Sequence, residues 1–285
     1  MRKIIYCVCV FILMAVIGDA FADEVGQTTK AHFYLVSVGN GSADNITLRA
    51  VKVIKKSDIV FCHERVKEKF PELLQGKEIH DPGFGIFAVY GKKAEDVRKN
   101  KRFNYEEKVK QLEEITKIIR NAVKQGKTVS VLDSGDPTIY GPNMWYVEAF
   151  EDLDPEIIPG VSCFNAANAA LKKGVTSGIK THSVILTASF GKEDYAGADS
   201  IEKLSEHQAT MAFFTMFLDL PEVIKKLKTH YPSDTPIAIV LYAGYKDKEK
   251  VIYATLDTIL DKIGEDKLPF EHMIYVGDFL ANRYN

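Results

Sequence analysis

His32-Phe33-Tyr34-Leu35-Val36-Ser37-Val38-Gly39-Asn40-Gly41-Ser42-Ala43-Asp44 is the stretch whose reading decides the fold. Residues 32–38 are dense in β-branched and aromatic side chains, the pattern of a buried strand, and Gly39 ends the run. From Asn45 to Lys56 apolar residues fall at Ile46, Leu48, Ala50, Val51, Val53 and Ile54, the spacing of a helix with Asp44 as its N-cap. Asp58-Ile59-Val60-Phe61-Cys62 reads as the next strand. Strand, tight turn, helix and strand in this order make a βαβ unit, and such a unit implies a parallel sheet.

Downstream, residues 76–103 hold Gly76, Pro82, Gly83, Gly85, Gly91 and a basic run without a sustained period, which reads as a long functional loop. Tyr105 to Gln125 is the longest helical pattern, with Val109, Leu112, Ile115, Ile119, Ala122 and Val123 on one face and Gly126 closing it. Thr128 to Leu132 is a strand, followed by a polar loop and a helix from Pro142 to Phe150. Asp152-Leu153-Asp154-Pro155 reads as a joint between an N-terminal domain, 32–152, and a C-terminal domain, 153–280. In the second part strands are expected at 156–158, 183–188, 210–216, 236–242, 250–254 and 272–277, and helices at 162–173, 221–229 and 257–263. Alternation is less strict there, so the expected class is α/β with a parallel sheet first and a mixed sheet second.

Upstream, Met1-Arg2-Lys3 precedes an unbroken apolar run from Ile4 to Ile17, and Ala20-Phe21-Ala22 supplies small residues at a cleavage site. This is the three-part pattern of a secretory signal, residues 1–22, and predicts an exported, periplasmic protein. The run is shorter than the ~20 residues that span a bilayer, so a membrane tether is the secondary expectation and a cytoplasmic protein the third. Cleavage leaves two cysteines, Cys62 and Cys163, in no metal-binding spacing, enough for one disulfide and not for a disulfide framework. The formal charge of the chain is −2, with 46% hydrophobic and 27% charged residues. That balance excludes a disordered or fibrous chain and argues against nucleic acid as a partner, which requires clustered Lys and Arg.

The seven histidines form no HxxxH pair and read as structural, and no metal site is expected. GxSxG, HExxH and GxxxxGK[ST] are absent, which removes the common hydrolase and P-loop readings. Gly39 to Asp44 matches a dinucleotide fingerprint only in part. Asp44 stands where the third glycine belongs, and a carboxylate at a helix N-terminus repels a pyrophosphate. Four further segments sit at strand ends: Leu132-Asp133-Ser134-Gly135-Asp136-Pro137-Thr138-Ile139-Tyr140-Gly141, Ile157-Ile158-Pro159-Gly160-Val161-Ser162-Cys163, Met211-Ala212-Phe213-Phe214-Thr215-Met216, and Ile239-Val240-Leu241-Tyr242-Ala243-Gly244-Tyr245-Lys246-Asp247 with Ala254-Thr255-Leu256. Strand ends are where open α/β sheets bind ligands.

In this order and spacing the five segments resemble the tetrapyrrole (corrin/porphyrin) methylase family, nearest in character to the precorrin-4 methyltransferases. The resemblance runs from residue 33 to 279. It implies two α/β domains with S-adenosylmethionine bent into the cleft between them, a small tetrapyrrole-like substrate, and a homodimer. Carried over position by position, it implies cofactor contacts at Ser42, Gly135, Asp136, Ile139, Ser162, Cys163, Met216 and Ala243. Asp136 is the expected acceptor for ammonium or ribose hydroxyls, and Ile139, Cys163, Met216 and Ala243 the expected apolar wall. No dedicated nucleophile is implied, because displacement at a sulfonium needs mainly alignment and exclusion of water.

The sequence departs from the family at Ser42 and Ala43, where it has Pro-Gly, and at Ala254, where it has glycine. The basic residues Lys92, Lys93, Arg98, Lys99, Lys101 and Arg102 read as a solvated loop, with carboxylates of an anionic tetrapyrrole as their alternative partner. Two other functions remain open at this point. One is an exported ligand-binding protein on the methylase fold, motivated by the signal segment. The other is a peptide backbone N-methyltransferase, whose branch the Arg102-Phe103-Asn104-Tyr105 helix start resembles.

Overall fold

The computed structural model describes residues 32–97, 104–188, 198–216, 218–264 and 267–281. The first sheet contains β1 (Phe33–Ser37), β2 (Ile59–Phe61), β3 (Glu78–His80), β4 (Val129–Asp133) and β5 (Glu156–Ile158), in the order β3-β2-β4-β1-β5. Every pairing in it is parallel. The second contains β6 (Val184–Ala188), β7 (Thr210–Phe214), β8 (Pro236–Leu241), β9 (Lys250–Thr255) and β10 (His272–Val276), in the order β6-β7-β10-β8-β9. Only β6 and β7 are parallel there. The two-sheet α/β class expected from the sequence is therefore present. The anticipated joint at 152–155 precedes β5, which hydrogen-bonds to β1, so the chain passes to the second sheet only after Ile158.

Helices among the described residues are α1 (Leu48–Lys56), α2 (Glu64–Lys69), α3 (Pro71–Leu74), α4 (Ala94–Val97), α5 (Tyr105–Lys124), α6 (Trp145–Ala149), α7 (Cys163–Leu171), α8 (Ile201–Ser205), α9 (Leu220–Leu227) and α10 (Ile259–Ile263). They cover both faces of both sheets, which is why the strands read as continuous apolar runs. Successive strand residues point to opposite faces. Phe33, Leu35, Phe61 and Val131 pack with Ile115 and Ile119 of α5 and with Trp145 and Tyr146 of α6. Tyr34, Val36, Val60 and Leu132 pack with Ala50, Val53 and Ile54 of α1. In the second sheet Met211, Phe213 and Ile239 meet Val223, Ile224 and Leu227 of α9, while Ala212, Phe214 and Val240 meet Ala166, Ala167 and Leu171 of α7.

The helix after β1 begins later than its periodicity predicts. Ala43–Asn45 is a 3-10 turn and Ile46 is extended, so the helix starts at Leu48 with Thr47 as N-cap. Thr47 Oγ1 accepts from the Ala50 N–H at 3.1 Å. Asp44, expected in that role, accepts instead from Lys246 Nζ at 2.8 Å. Thr47→Ala is expected to cost about 1 kcal/mol in urea unfolding, and Asp44→Ala clearly less, since its pair with Lys246 is exposed.

Residues 76–97 are more ordered than a plain loop, with β3, a 3-10 turn at Ile86–Ala88 and α4. Helices α2, α3 and α8 escape a sequence reading because each is six residues or fewer and shows no full apolar period. Cys62 and Cys163 are both free thiols. The signal segment 1–22 and Arg98, Lys99, Lys101 and Arg102 lie outside the described residues. Among those that are described, no helix is long and apolar enough to cross a membrane.

Candidate functional site

β1 and β4 lie side by side at the centre of the first sheet, and their following helices leave to opposite faces, α1 to one and α6 to the other. That divergence opens a crevice beyond the carboxyl ends of the two strands, the place where open α/β sheets take ligands. The loops leaving them are tied together. Val38 N–H donates to Asp133 O at 2.8 Å, the Ser37 hydroxyl donates to Gly135 O, and Gly39 bridges Gly135. The second sheet closes the crevice with the ends of β7 and β8 and the start of β10, leaving a cleft of about 290 Å³.

Of the residues carried over from the resemblance, Cys163, Met216 and Ala243 line this cleft, beside Phe214, Val240 and Met273. The other five are off the lining, and four of them hold the cleft walls. Ser42 N–H donates across the domains to Gly244 O at 3.0 Å. Gly135 approaches the start of α7, where an added Cβ would meet Cys163 N at 3.8 Å. Both carboxylate oxygens of Asp136 accept from the chain itself: Oδ1 from Thr138 N–H at 2.9 Å and its hydroxyl at 2.6 Å, Oδ2 from Gly160 N–H at 3.1 Å. Asp136 thereby clamps one ligand loop to the next. Ser162 caps α7, its Oγ accepting from Asn165 N–H at 3.2 Å. Ile139 is 44% exposed and is not among the residues that line the cleft.

The two domains meet through the first loop. Asn40 Nδ2 donates to Ala243 O at 2.7 Å, and Lys69 Nζ donates to Gly41 O at 2.6 Å. Gly41 has φ +84° and lies so close to Gly244 that an added Cβ would sit 2.4 Å from the Gly244 backbone. Arg65 forms an ion pair with Glu271, joining α2 to the residue before β10. Tyr140 stacks on Phe214 with ring centroids 4.3 Å apart and planes 11° from parallel, one ring from each domain.

Several cleft residues carry no site role in the sequence reading, although Asp133 falls within one of its segments. Asp133, the last residue of β4, is buried, and its Oδ2 has no hydrogen-bond partner. Burial pushes its carboxyl up to about 7; the Asn143 amide and the Ser134 N–H pull the other way, and the charge of Asp136 adds to the rise. His63 and His272, read as structural, both face the cleft, and burial holds both below the ordinary histidine range. Exposed Phe84 and Phe270 stand on the lining, one from each domain. The available signal for Asp133 was a carboxylate at the C-terminal end of an otherwise apolar central strand.

The family model of the tetrapyrrole (corrin/porphyrin) methylases matches residues 32–260. The chain belongs to this family. Among tetrapyrrole methylases it is 32% identical over 254 residues to a cobalt-precorrin-4 C(11)-methyltransferase of Methanocaldococcus jannaschii, covering 88% of each chain. It is 28% identical to a uroporphyrinogen-III C-methyltransferase of Priestia megaterium, covering 86% of this chain and 96% of that one. In fold it is similar to a solved cobalt precorrin-4 methyltransferase, with a TM-score of 0.69 at 24% identity over 90% of this chain and all of that one. A uroporphyrin-III C-methyltransferase of Thermus thermophilus, solved with S-adenosylhomocysteine, superposes with a TM-score of 0.55 at 18% identity, covering 87% of this chain and 98% of that one.

Proposed function

We propose that the protein transfers a methyl group from S-adenosylmethionine to a ring carbon of a precorrin-4-type tetrapyrrole, working as a homodimer. The observation that carries this reading is the interdomain cleft at the carboxyl ends of β1 and β4, walled by Cys163, Met216 and Ala243. S-adenosylmethionine has no phosphate, so an apolar wall for its adenine with a few polar groups for its ends suits it better than an anion cradle. The departures from the family sequence leave this wall alone. Ala43 lies in the 3-10 turn before α1 and Ser42 just precedes that turn, while Ala254 packs on the α9 side of the second sheet, away from Val240 and Met273. The identity to cobalt-precorrin-4 C(11)-methyltransferase favours the enzyme over a ligand-binding protein or a peptide N-methyltransferase.

Calorimetry with S-adenosylhomocysteine, followed by mass spectrometry of cobalt-precorrin-4 incubated with the protein and S-adenosylmethionine, tests the proposal. Saturable binding and the gain of one methyl group are expected. Binding of neither S-adenosylmethionine nor S-adenosylhomocysteine would overturn it. We also place the working protein outside the cytoplasm, on the signal pattern of residues 1–22. Fractionation of the host should then yield a chain beginning at Asp23, and a cytoplasmic chain beginning at Met1 would refute export.

A further inference from the structure

We propose that Asp133 is the proton acceptor of the methyl transfer. The role rests on the methyltransferase reading given above, and the observations for it are geometric. Asp133 ends the central strand β4, lines the cleft, and is 7% exposed, yet its Oδ2 has no hydrogen-bond partner. Asn143 Nδ2, the side-chain donor that favours the ionised form of Asp133, is likewise left without a hydrogen-bond partner, so the two buried groups together are open to one that arrives with a ligand. The chain leaves Asp133 room: Gly141 packs against it without a side chain, and a Cβ there would sit 3.0 Å from Oδ2. Asp136, the other carboxylate of the loop, is spent on the chain and offers no such oxygen.

Methylation at a ring carbon needs such a group. The π electron pair of an enamine-type carbon forms the new C–C bond, and the electron pair of the breaking C–S bond stays on sulfur. The methylated ring is left with one positive charge. Loss of the proton from a ring N–H restores neutrality, and Oδ2 of ionised Asp133 takes that proton before releasing it to water. The established charges around it suit this use. Asp136 on the same loop opposes ionisation, Tyr146 of α6 is turned away to donate to Pro82 O, and Arg65 is paired with Glu271. His63 and His272 are both pushed toward their neutral forms by burial. A carboxyl poised at about 7 is matched to proton transfer near neutral pH.

The test uses the full chain, labelled S-adenosylmethionine and cobalt-precorrin-4, with Asp133→Asn beside the wild type. The wild-type kcat should rise with pH through about 7 and then level, because only the ionised carboxyl accepts the proton. Asp133→Asn should lower kcat by about 10²-fold or more and abolish that inflection, with KM and S-adenosylhomocysteine affinity within about threefold. The variant should also melt no lower than the wild type at pH 8. The folded carboxyl keeps its proton up to about 7 while the unfolded one releases it near 4, so rising pH through that window disfavours the folded wild type. A wild-type profile without the inflection overturns the proposal even if the variant does not fold. So does a variant that keeps kcat, or one that loses cofactor affinity while kcat stands, which would assign the carboxyl to the cofactor's ammonium. A wild type that binds no S-adenosylhomocysteine fails at the earlier step and removes the methyltransferase reading itself.

Discussion

Gly41→Ala is expected to destabilise the protein by about 2–4 kcal/mol and to abolish the S-adenosylhomocysteine binding proposed for the cleft. Two costs combine. A side chain at φ +84° costs about 1–2 kcal/mol for an L-residue, and the new Cβ would lie 2.4 Å from the backbone of Gly244, a contact that only a shift of the two domains relieves. That shift breaks the Ser42 N–H bond to Gly244 O and the Asn40 bond to Ala243 O. Ala243 is itself on the cleft wall, so the damage reaches the site. Gly76→Ala is the control, since Gly76 has φ +74° with nothing within 4 Å of an added Cβ, and it should cost only the conformational part. Urea unfolding and calorimetry with S-adenosylhomocysteine separate the two variants. Equal losses in both would mean that the Gly41–Gly244 approach contributes nothing.

Phe33→Ala should be the more damaging change to stability, at about 3–5 kcal/mol. Phe33 is fully buried on β1, an inner strand of the first sheet flanked by β4 and β5. Its ring meets Phe150 edge-on at 5.0 Å and Tyr146 at 6.2 Å. Truncation leaves a void between the sheet and α6 that the surrounding rings fill only in part. A drop in the urea midpoint with an unchanged slope is the expected signature. Leu48→Ala provides the contrast: Leu48 is 81% exposed, and its loss should stay within about 0.5 kcal/mol.

Strands and long helices were legible because burial on two faces leaves an unmistakable run of apolar residues, as at 33–37 and 129–133. Ser162 was legible as a cap because a hydroxyl three residues before Asn165 has one local use. Asp44 failed by the same logic, since Thr47 lay closer to the apolar period and Lys246, two hundred residues away, claimed its carboxylate. The pairing of β5 with β1 was hidden because adjacency across a parallel sheet leaves no trace in local spacing. At the site, the motif loops mark the right strand ends. Which polar atoms are consumed by the scaffold and which are left for a ligand depends on contacts between loops, and there Asp136 and Asp133 part company.

The strand order of the first sheet also fixes when the protein can fold. β1 sits between β4 and β5, and Phe33 pairs with Val129, ninety-six residues further along the chain. At synthesis rates of about 5–20 residues per second, β1 waits roughly 5–20 s for its first neighbour. The earliest-made strand of the first sheet among the described residues is thus the one that waits longest for a strand partner, an interval in which a chaperone meets a sheet that is still open.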